Sequence, residues 1–340
     1  MHKKITIKDI ARLCGVSITT VSRVLNNKRE GVGEETVERI RQVIGELKYQ
    51  PNVVARSMIT KRSNTIGLIL PDIRNPFFSE LARGVEDVCN RLGYGCFLCN
   101  TDGEIEKEDK YIQLLRGRVA DGILFTTQNN VESNEAFLEF QSSGFPFCFI
   151  ERYIDEMPDV PGVYFDNFNG AKLITEYLID RGHRRIAFIS GPLTTHNARQ
   201  RRDGYLEALE SRGIHADELL FVEGNYRYDG GYQAVSLLTG ERKMDYTAIF
   251  ASNDLMALGA LQNLEERGYR IPDDISLAGF DHIAFPPVLR PTITTVEIPA
   301  YEFGVSSATL LFSLMKGERP EQTKIVFTPK LVEKGSVRSL

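Results

Sequence analysis

The sequence predicts an α/β core of two doubly wound parallel-sheet lobes, preceded by an N-terminal all-α helix-turn-helix unit. From Thr65 onward, apolar strands of the buried kind alternate with amphipathic helical runs, and the alternation starts again near residue 162. Ahead of Thr65, three short helical patterns occur instead. We therefore expect a helical headpiece at 1–50, a hinge helix or linker at 51–64, and a two-lobed core at 65–340.

The stretch Thr6–Asn26 has the pattern of a helix, a three-residue turn and a second helix. Thr6 is a candidate N-cap, and Asp9, three positions later, helps to bind the free amides of the first turn. Gly15 is a candidate stop, and Ser17 is a second N-cap. In helix-turn-helix proteins the second helix reads the major groove of DNA. A capped helical hairpin with a solvated polar face is the alternative interpretation.

The outward face of the second predicted helix suits a DNA surface because its side chains are short and mixed. Ile18 and the methyl group of Thr19 can contact a thymine methyl, while Arg23 can bind guanine or a phosphate. Ser22 and Asn26 share this face.

The third helical pattern completes the N-terminal unit. It ends at Tyr49-Gln50-Pro51, because the residue before a proline avoids helical geometry. The next segment, PNVVARSMITKRSN, has too few apolar residues to fold alone, and we expect a linker that becomes a short helix on DNA. The apolar stripe of the third helix consists of Val37, Ile40, Val43, Ile44 and Leu47.

Two series of strand and helix patterns follow. In the first, the strands are TIGLILP, YGCFLCN, DGILFTT and FPFCFIE, with helices near 77–93, 105–117 and 132–143. In the second, the strands are GVYFDN, RIAFISGP, LLFVEG, YTAIFAS and DISLAGFD, with helices at 168–182, 197–212, 229–239 and 253–267. The chain then continues as TITTVEIP, a helix near 300–316 and KIVFTPKLVE, which we expect to cross back between the lobes.

The charge is unevenly distributed along the chain. Through Asn64 there are 13 Lys and Arg against 6 Asp and Glu, whereas the remainder has 28 against 40. Phosphate contacts supply most of the non-specific affinity for DNA, so only the N-terminal segment suits a polyanion. This asymmetry favours the DNA-binding interpretation of the helical pair.

Composition indicates a soluble cytoplasmic protein without metal or cofactor. No apolar run approaches the roughly 18 residues that span a bilayer, and MHKKITIKD lacks the apolar segment of a signal peptide. Five cysteines without framework spacing indicate reduced thiols. Cys96 and Cys99 form a CxxC, but they lie in YGCFLCN, which we expect to be a buried strand, and clustered further ligands are absent.

Several segments, in one register from about residue 5 to about residue 335, resemble the lactose-repressor/galactose-repressor family of bacterial transcription regulators. They are TIKDIARLCGVSITTVSRVLN, YQPNVVARSM, TIGLILPDIRNPFFSELARGVE, RGHRRIAFISGP, ASNDLMALGA and GFD. The resemblance implies a helix-turn-helix headpiece, a hinge helix and a dimeric core of the periplasmic-binding-protein type I. It also implies that a small molecule between the lobes controls the spacing of the headpieces and hence the affinity for operator DNA.

The resemblance further implies the site residues. At Met58 the family usually has a leucine that wedges into the minor groove, and methionine is similar in size but more flexible. Glu151 stands where the sugar-binding pattern usually has aspartate. The expected DNA-binding residues are Thr6, Ser17, Ile18, Thr19, Thr20, Ser22, Arg23 and Asn26 in the headpiece, with Asn52, Ala55, Arg56 and Met58 in the hinge. The expected effector-binding residues are Asp72, Asn75, Phe77, Phe78, Arg152, Phe165, Arg201, Tyr226, Asn253, Asp254 and Asp281.

This effector set suits a sugar, because aromatic faces cover its C–H surface and charged or amide groups satisfy its buried hydroxyls. A pentose such as ribose is preferred, given the NPFF segment together with Arg152 and Arg201. Arg201 opens a helix just after a strand end, at the edge where open α/β sheets bind ligands. Other interpretations stay open: Phe165 as plain core, Asn253 as a helix cap and Arg152 as a surface ion pair.

Other classes of function fit the sequence less well. No GxGxxG after a strand, Walker A, GxSxG or HExxH motif supports an enzyme. A sugar-transport protein would not need the basic headpiece. A regulator with a phosphorylated carrier protein as co-repressor, or one that responds to a purine or nucleoside, remains an alternative. We expect a repressor of a carbohydrate-utilisation operon that binds a near-palindromic operator as a homodimer, in the cytoplasm and on the nucleoid when bound. The C-terminal KLVEKGSVRSL lacks the leucine heptads of tetrameric relatives, so assembly should stop at the dimer.

Overall fold

The structure is a computed structural model that describes residues 5–25, 28, 30–49, 62–126, 135–151, 159–242, 245–285, 290–318 and 320–340; at 118 and 135–138 it describes the backbone alone. The chain divides into two compact units, Met1–Ser63 and Asn64–Leu340. Most of the expected hinge at 51–64 lies outside the described residues. So do six of the expected site residues: Asn26, Asn52, Ala55, Arg56, Met58 and Arg152.

The described residues of the first unit form three helices around a small apolar core. They are α1 (Ile7–Cys14), α2 (Ile18–Leu25) and α3 (Glu34–Glu46). Their buried faces are those that the helical periodicity predicts, since Ile10, Val21 and Ile40 are fully buried at the centre of the cluster. The predicted helix-turn-helix is confirmed in the described residues.

The second unit contains two α/β lobes. Lobe 1 is built on a six-stranded, all-parallel sheet in the order β11-β5-β4-β3-β1-β2. Its strands are β1 (Thr65–Leu70), β2 (Gly95–Asn100), β3 (Gly122–Phe125), β4 (Phe147–Ile150), β5 (Gly162–Phe165) and β11 (Lys324–Phe327). Its helices are α4 (Pro76–Leu92), α5 (Ile105–Leu114, continued by a π-helical turn Leu115–Val119), α6 (Glu135–Ser143) and α11 (Ala300–Met315).

Lobe 2 has a four-stranded parallel sheet in the order β7-β6-β8-β9 and a separate antiparallel pair, β10-β12. Its strands are β6 (Ile186–Ser190), β7 (Phe221–Glu223), β8 (Ala248–Ala251), β9 (Ser276–Ala278), β10 (Thr295–Glu297) and β12 (Lys330–Val332). Its helices are α7 (Asn167–Asp180), α8 (His196–Glu210), α9 (Tyr228–Val235) and α10 (Asp254–Glu266). The doubly wound fold predicted for both lobes is therefore confirmed.

The chain crosses between the lobes three times. It passes from β5 into α7, from β10 into α11, and from β11 into β12. The predicted return of the C-terminal segments is thus confirmed, since β11 joins the sheet of lobe 1 while β12 pairs with β10 of lobe 2. No helix in the described part of the chain is long and apolar enough to cross a membrane.

Strand β2 differs from the prediction for YGCFLCN. We expected a buried strand, but β2 lies at the edge of the six-stranded sheet. Phe97 and Leu98 are 53% and 42% exposed, so large apolar side chains protrude on both faces of this edge. An apolar run cannot distinguish an edge strand from a central one, because both contain the same residue types. Cys96 and Cys99 are free thiols within this strand.

Candidate DNA interface and ligand cleft

Side chains close to α1 and α2 determine where these helices begin. The Asp9 carboxylate accepts hydrogen bonds from the backbone N–H of Thr6 at 3.0 Å and from its hydroxyl at 2.7 Å. The Ser17 hydroxyl accepts from the Thr20 N–H at 3.0 Å and also lies 2.9 Å from the Thr20 hydroxyl. Between the helices, Gly15 has φ +63° and ends α1. The turn is therefore built by local hydrogen bonds.

The expected DNA-binding side chains of the first unit lie on its surface. Ile18, Thr19 and Arg23 are exposed, and Ser22 is half-buried. Ile18 is 44% exposed although it is large and apolar, as a side chain that contacts a thymine methyl has to be. Val21 and Val24, on the opposite face, are buried and hold α2 against the other helices. The exposed face of α2 thus carries apolar and polar side chains together with one basic side chain, Arg23.

Four polar residues of the second unit follow the carboxyl ends of strands in both sheets, and one of them, Asp281, belongs to the expected effector-binding set. Glu151 follows β4, Asn167 follows β5, Ser252 follows β8, and Asp281 lies just beyond β9. Arg201 projects from α8, the helix after β6. Ligands of open parallel sheets bind at this edge.

Arg201 is the centre of a buried polar network. It is only 4% exposed, and its guanidinium donates to Asn167 Oδ1 at 2.8 Å and to the Ser252 carbonyl at 2.5 Å. Asp281 lies 3.6 Å from its Nη1. The guanidinium carbon lies 3.9 Å from the ring centroid of Phe280, a cation–π contact. The network brings together residues from three different strand ends.

Glu151 and Asp281 interact electrostatically with this cation, and Asp254 interacts in turn with Asp281. Burial raises the pKa of Asp281 to about 8, although Arg201 opposes the rise, and burial raises the pKa of Glu151 and of Asp254 to about 7. Asp281 also has φ +108°, which is uncommon for a residue with a side chain. Hydrogen-bond donors favour the ionised form of a carboxyl group, so Asp281 is suited to a ligand rich in hydroxyls.

Aromatic rings cover part of the same region. Tyr226 is buried, with φ +60°, and its hydroxyl lies 3.4 Å from Asn197 Oδ1. Its ring centroid is 5.8 Å from the Arg201 guanidinium carbon. Phe165 is 1% exposed and packs edge to face on Phe280 at 5.8 Å, so it belongs to the core beneath the site.

The expected residues in lobe 1 form a second group near the mouth of the cleft. Asp72 binds the Arg74 guanidinium through two hydrogen bonds and lies 3.9 Å from Arg227 of lobe 2. Asn75 accepts from the Phe77 N–H at 3.0 Å and caps α4. Phe77 and Phe78 are buried, and their rings meet edge to face. Arg227 is therefore the contact that links this group to lobe 2.

Asn253 has the capping role that the sequence left open, and Asp254 has a structural role that the sequence did not indicate. Asn253 caps α10 through the Met256 N–H and donates to the Tyr226 carbonyl at 2.9 Å. The Asp254 carboxylate accepts from the Thr295 hydroxyl at 2.7 Å and from the Ile283 N–H at 2.9 Å. The Asn253 amide and the Asp254 carboxylate thus already form hydrogen bonds with groups of the protein.

Sequence reasoning did not single out Asn167, Ser252 and Phe280. All three follow strand ends, so the rule that ligands bind at the carboxyl edge of a parallel sheet was the signal that could have found them. The Ser252 hydroxyl is fully buried and has no hydrogen-bond partner among the described residues, which makes it a further candidate for a polar ligand contact.

Two family models match this chain. The model described as "Bacterial regulatory proteins, lacI family" matches residues 6–52. The model described as "Periplasmic binding proteins and sugar binding domain of LacI family" matches residues 63–333. Together they cover both the helical unit and the two lobes.

Relatives match over nearly their whole length. The ribose operon repressor of Halalkalibacterium halodurans is 40% identical over 96% of this chain and 95% of its own. The HTH-type transcriptional repressor PurR of Vibrio atlanticus is 38% identical over 98% of this chain and 99% of its own.

Solved structures have the same fold. The lac repressor dimer bound to operator and the anti-inducer ONPF superposes with a TM-score of 0.86, at 25% identity, over 99% of this chain and 100% of that one. A LacI family transcriptional regulator from Enterococcus faecium with bound ribose has a TM-score of 0.72 and 32% identity, over 81% of this chain and 99% of that one.

Proposed function

Since this chain belongs to the LacI family of bacterial transcription regulators, we propose that it represses a carbohydrate-utilisation operon and that a pentose such as ribose, bound between the lobes of its core, controls its affinity for the operator. The chain is a DNA-binding regulator of this family and not an enzyme. The protein acts in the cytoplasm, on the nucleoid when bound to its operator.

The buried cluster around Arg201 carries this proposal. One guanidinium and the Asp281 carboxyl lie beside the faces of Phe280 and Tyr226. A sugar presents hydroxyl groups to the charged side chains and C–H surface to the rings, so it satisfies both. Two similar proteins add support, because one is a ribose operon repressor and the other is a LacI family regulator with bound ribose.

A thermal-shift panel tests the choice of effector. We expect ribose to raise the melting temperature of the full chain, because a ligand that binds only the folded core stabilises it by mass action, by roughly 2.7 kcal/mol at a hundred times its Kd. Hexoses, disaccharides, sugar phosphates, nucleosides and purines are the comparison ligands. Stabilisation by purines or nucleosides alone would rule out a sugar, and the absence of any shift would favour a protein co-repressor.

We propose in addition that the chain dimerises through the apolar edge of lobe 1. Phe97 and Leu98 on β2 and Leu92 at the end of α4 are 42% to 53% exposed. Covering large apolar side chains is favourable by about 25 cal/mol per Å². A second copy of the chain is the occupant we infer, because the lac repressor is a dimer on its operator and has the same fold.

Phe97→Glu is expected to convert the dimer into a monomer at micromolar concentration, because it places a charge in an apolar contact. Sedimentation velocity measures the change. Val326→Glu is the matched control, since Val326 is 58% exposed on β11, at the opposite edge of the same sheet. A monomeric wild-type protein, or a dimer that persists in Phe97→Glu, contradicts the proposed interface.

The dimer implies a near-palindromic operator with two half-sites about one helical turn apart or closer. Footprinting of the wild-type protein checks this expectation. Protection of a single asymmetric half-site by a monomer would refute it.

A further inference from the structure

We propose that Glu151 and Asn167 are positioning residues that hold the guanidinium of Arg201 at the floor of the cleft, and that the Glu151 carboxylate is not itself an effector contact. The proposal deepens the effector-binding function above and rests on it for its consequence. It concerns Glu151, which directly follows β4, and Asn167, which is the first residue of α7.

Asn167 links Glu151 to Arg201, and these three residues form a relay of hydrogen bonds. Its side chain is fully buried; Nδ2 donates to Glu151 Oε2 at 2.7 Å and to the Phe165 carbonyl at 3.2 Å. Its Oδ1 accepts from Arg201 Nε at 2.8 Å. Only this orientation of the amide works, because a flipped amide would point an N–H at the Arg201 donor and an oxygen at the Glu151 carboxylate.

Glu151 anchors the relay to the backbone. It stands directly after β4 with φ +54°, and this turn directs its side chain to the start of α7. Its Oε1 accepts from the Phe165 N–H, and its Oε2 accepts from Asn167. Both carboxylate oxygens therefore bind protein donors. The longer side chain of glutamate, compared with aspartate, provides the reach for these two contacts.

Asn167 holds the Arg201 guanidinium directly, and Glu151 holds it through Asn167. The Asn167 oxygen holds its Nε, the Ser252 carbonyl holds Nη1, and the Phe280 ring supports the guanidinium plane. A guanidinium held at Nε and Nη1 keeps its remaining donors in one fixed direction, which lowers the entropy lost when a ligand binds.

The packing of α8 on α7 makes this reach possible. A Cβ atom at Gly204 would collide with the Phe168 carbonyl, so glycine is required for α8 to approach the first turn of α7. Gly204 lies one turn beyond Arg201, and Phe168 lies next to Asn167. The close approach of the two helices therefore brings Arg201 within hydrogen-bond distance of Asn167.

The test is a spectroscopic signature of Arg201 in the full chain without effector. We expect a solvent-protected Arg Nε–H resonance in ¹⁵N–¹H spectra, assigned by its loss in Arg201→Lys. In Asn167→Ala, and in the isosteric Glu151→Gln, its exchange with water should be at least about tenfold faster. Glutamine places an NH₂ group at one of the two oxygen positions, so a donor then faces either the Phe165 N–H or the Asn167 Nδ2 donor.

Asn169→Ala is the matched control. Asn169 also lies in the first turn of α7, but its side chain binds Asp166 and has no part in the relay. We expect its spectrum to retain the protected resonance. If Asn167→Ala does not fold, Glu151→Gln decides by itself. An Nε–H that stays protected in Glu151→Gln overturns the proposal.

Calorimetric titration with ribose measures the consequence. We expect Glu151→Gln and Asn167→Ala each to bind ribose at least about tenfold more weakly than the wild-type protein. Because both residues act through Arg201, the double variant should lose less affinity than the product of the two single fold-losses. Unchanged ribose affinity in Asn167→Ala contradicts a positioning role. A wild-type protein that does not bind ribose defeats the proposed effector alone, because the spectra still decide whether the relay holds Arg201.

Discussion

Arg201→Ala is expected to abolish the response to effector while operator affinity without effector stays nearly unchanged. The side chain is buried in the core unit, and in the proposed site it is the cation that binds the ligand hydroxyls. Loss of a charged hydrogen-bonding partner costs a few kcal/mol, which corresponds to an effector affinity weaker by on the order of a hundredfold. Fluorescence anisotropy of labelled operator DNA, titrated with and without ribose, measures both quantities.

Arg199→Ala is the control for this substitution. Arg199 is on the same helix and donates to the Leu193 and Thr194 carbonyls, away from the buried network. Its removal should leave the effector response intact. The melting temperature of Arg201→Ala needs to be checked, because the variant leaves the Asp281 carboxyl without its cation. Normal release of DNA by Arg201→Ala would show that Arg201 is not an effector-binding residue.

Arg23→Ala is expected to reduce operator affinity by on the order of a hundredfold in the dimer. Arg23 is exposed on α2. An arginine paired with guanine contributes about 1–3 kcal/mol, and the loss occurs in both headpieces. If Arg23 binds a phosphate instead, affinity should fall equally for all sequences and the salt dependence should become less steep. Anisotropy titrations on operator and non-operator DNA at several salt concentrations distinguish the two modes.

Arg12→Ala removes the same charge from the same unit and is the control. Arg12 is 78% exposed on α1 and forms an ion pair with Asp9 at 3.2 Å. We expect only a small effect on operator affinity, since in the helix-turn-helix pattern the second helix, not the first, enters the major groove. Equal losses in Arg12→Ala and Arg23→Ala would mean that the unit acts through its overall charge, and the assignment of α2 as the groove-reading helix would fail.

The prediction for β2 shows one boundary of sequence reasoning. The strand itself was predicted, because its apolar residues form a run of the right length and type. Its place at the edge of the sheet was not, because strand order depends on which segments pair across the sheet. Phe97 and Leu98 are residue types that also occur in central strands. Their exposure follows from the position of β2 at the edge of the sheet, which the sequence pattern does not show.

Asn253 and Glu151 show that the sequence does not decide which atoms a polar side chain contacts. The alternatives for Asn253, a cap or an effector contact, were both visible in the sequence, and the structure places its amide between the Met256 N–H and the Tyr226 carbonyl. The sequence showed Glu151 only as a departure from the aspartate of the sugar-binding pattern. In the structure its carboxylate binds the Phe165 N–H and Asn167.

The sequence by itself determined the helices of the first unit and the fold class of the second. Caps such as Thr6, Gly15 and Ser17 act within a few residues, and the spacing of apolar side chains records whether a segment is a helix or a strand. The tertiary structure alone decided the partners of Arg201. Asn167 is 34 residues away in the chain and Ser252 is 51, and hydrogen bonds over such separations form only when strand ends and helices pack together.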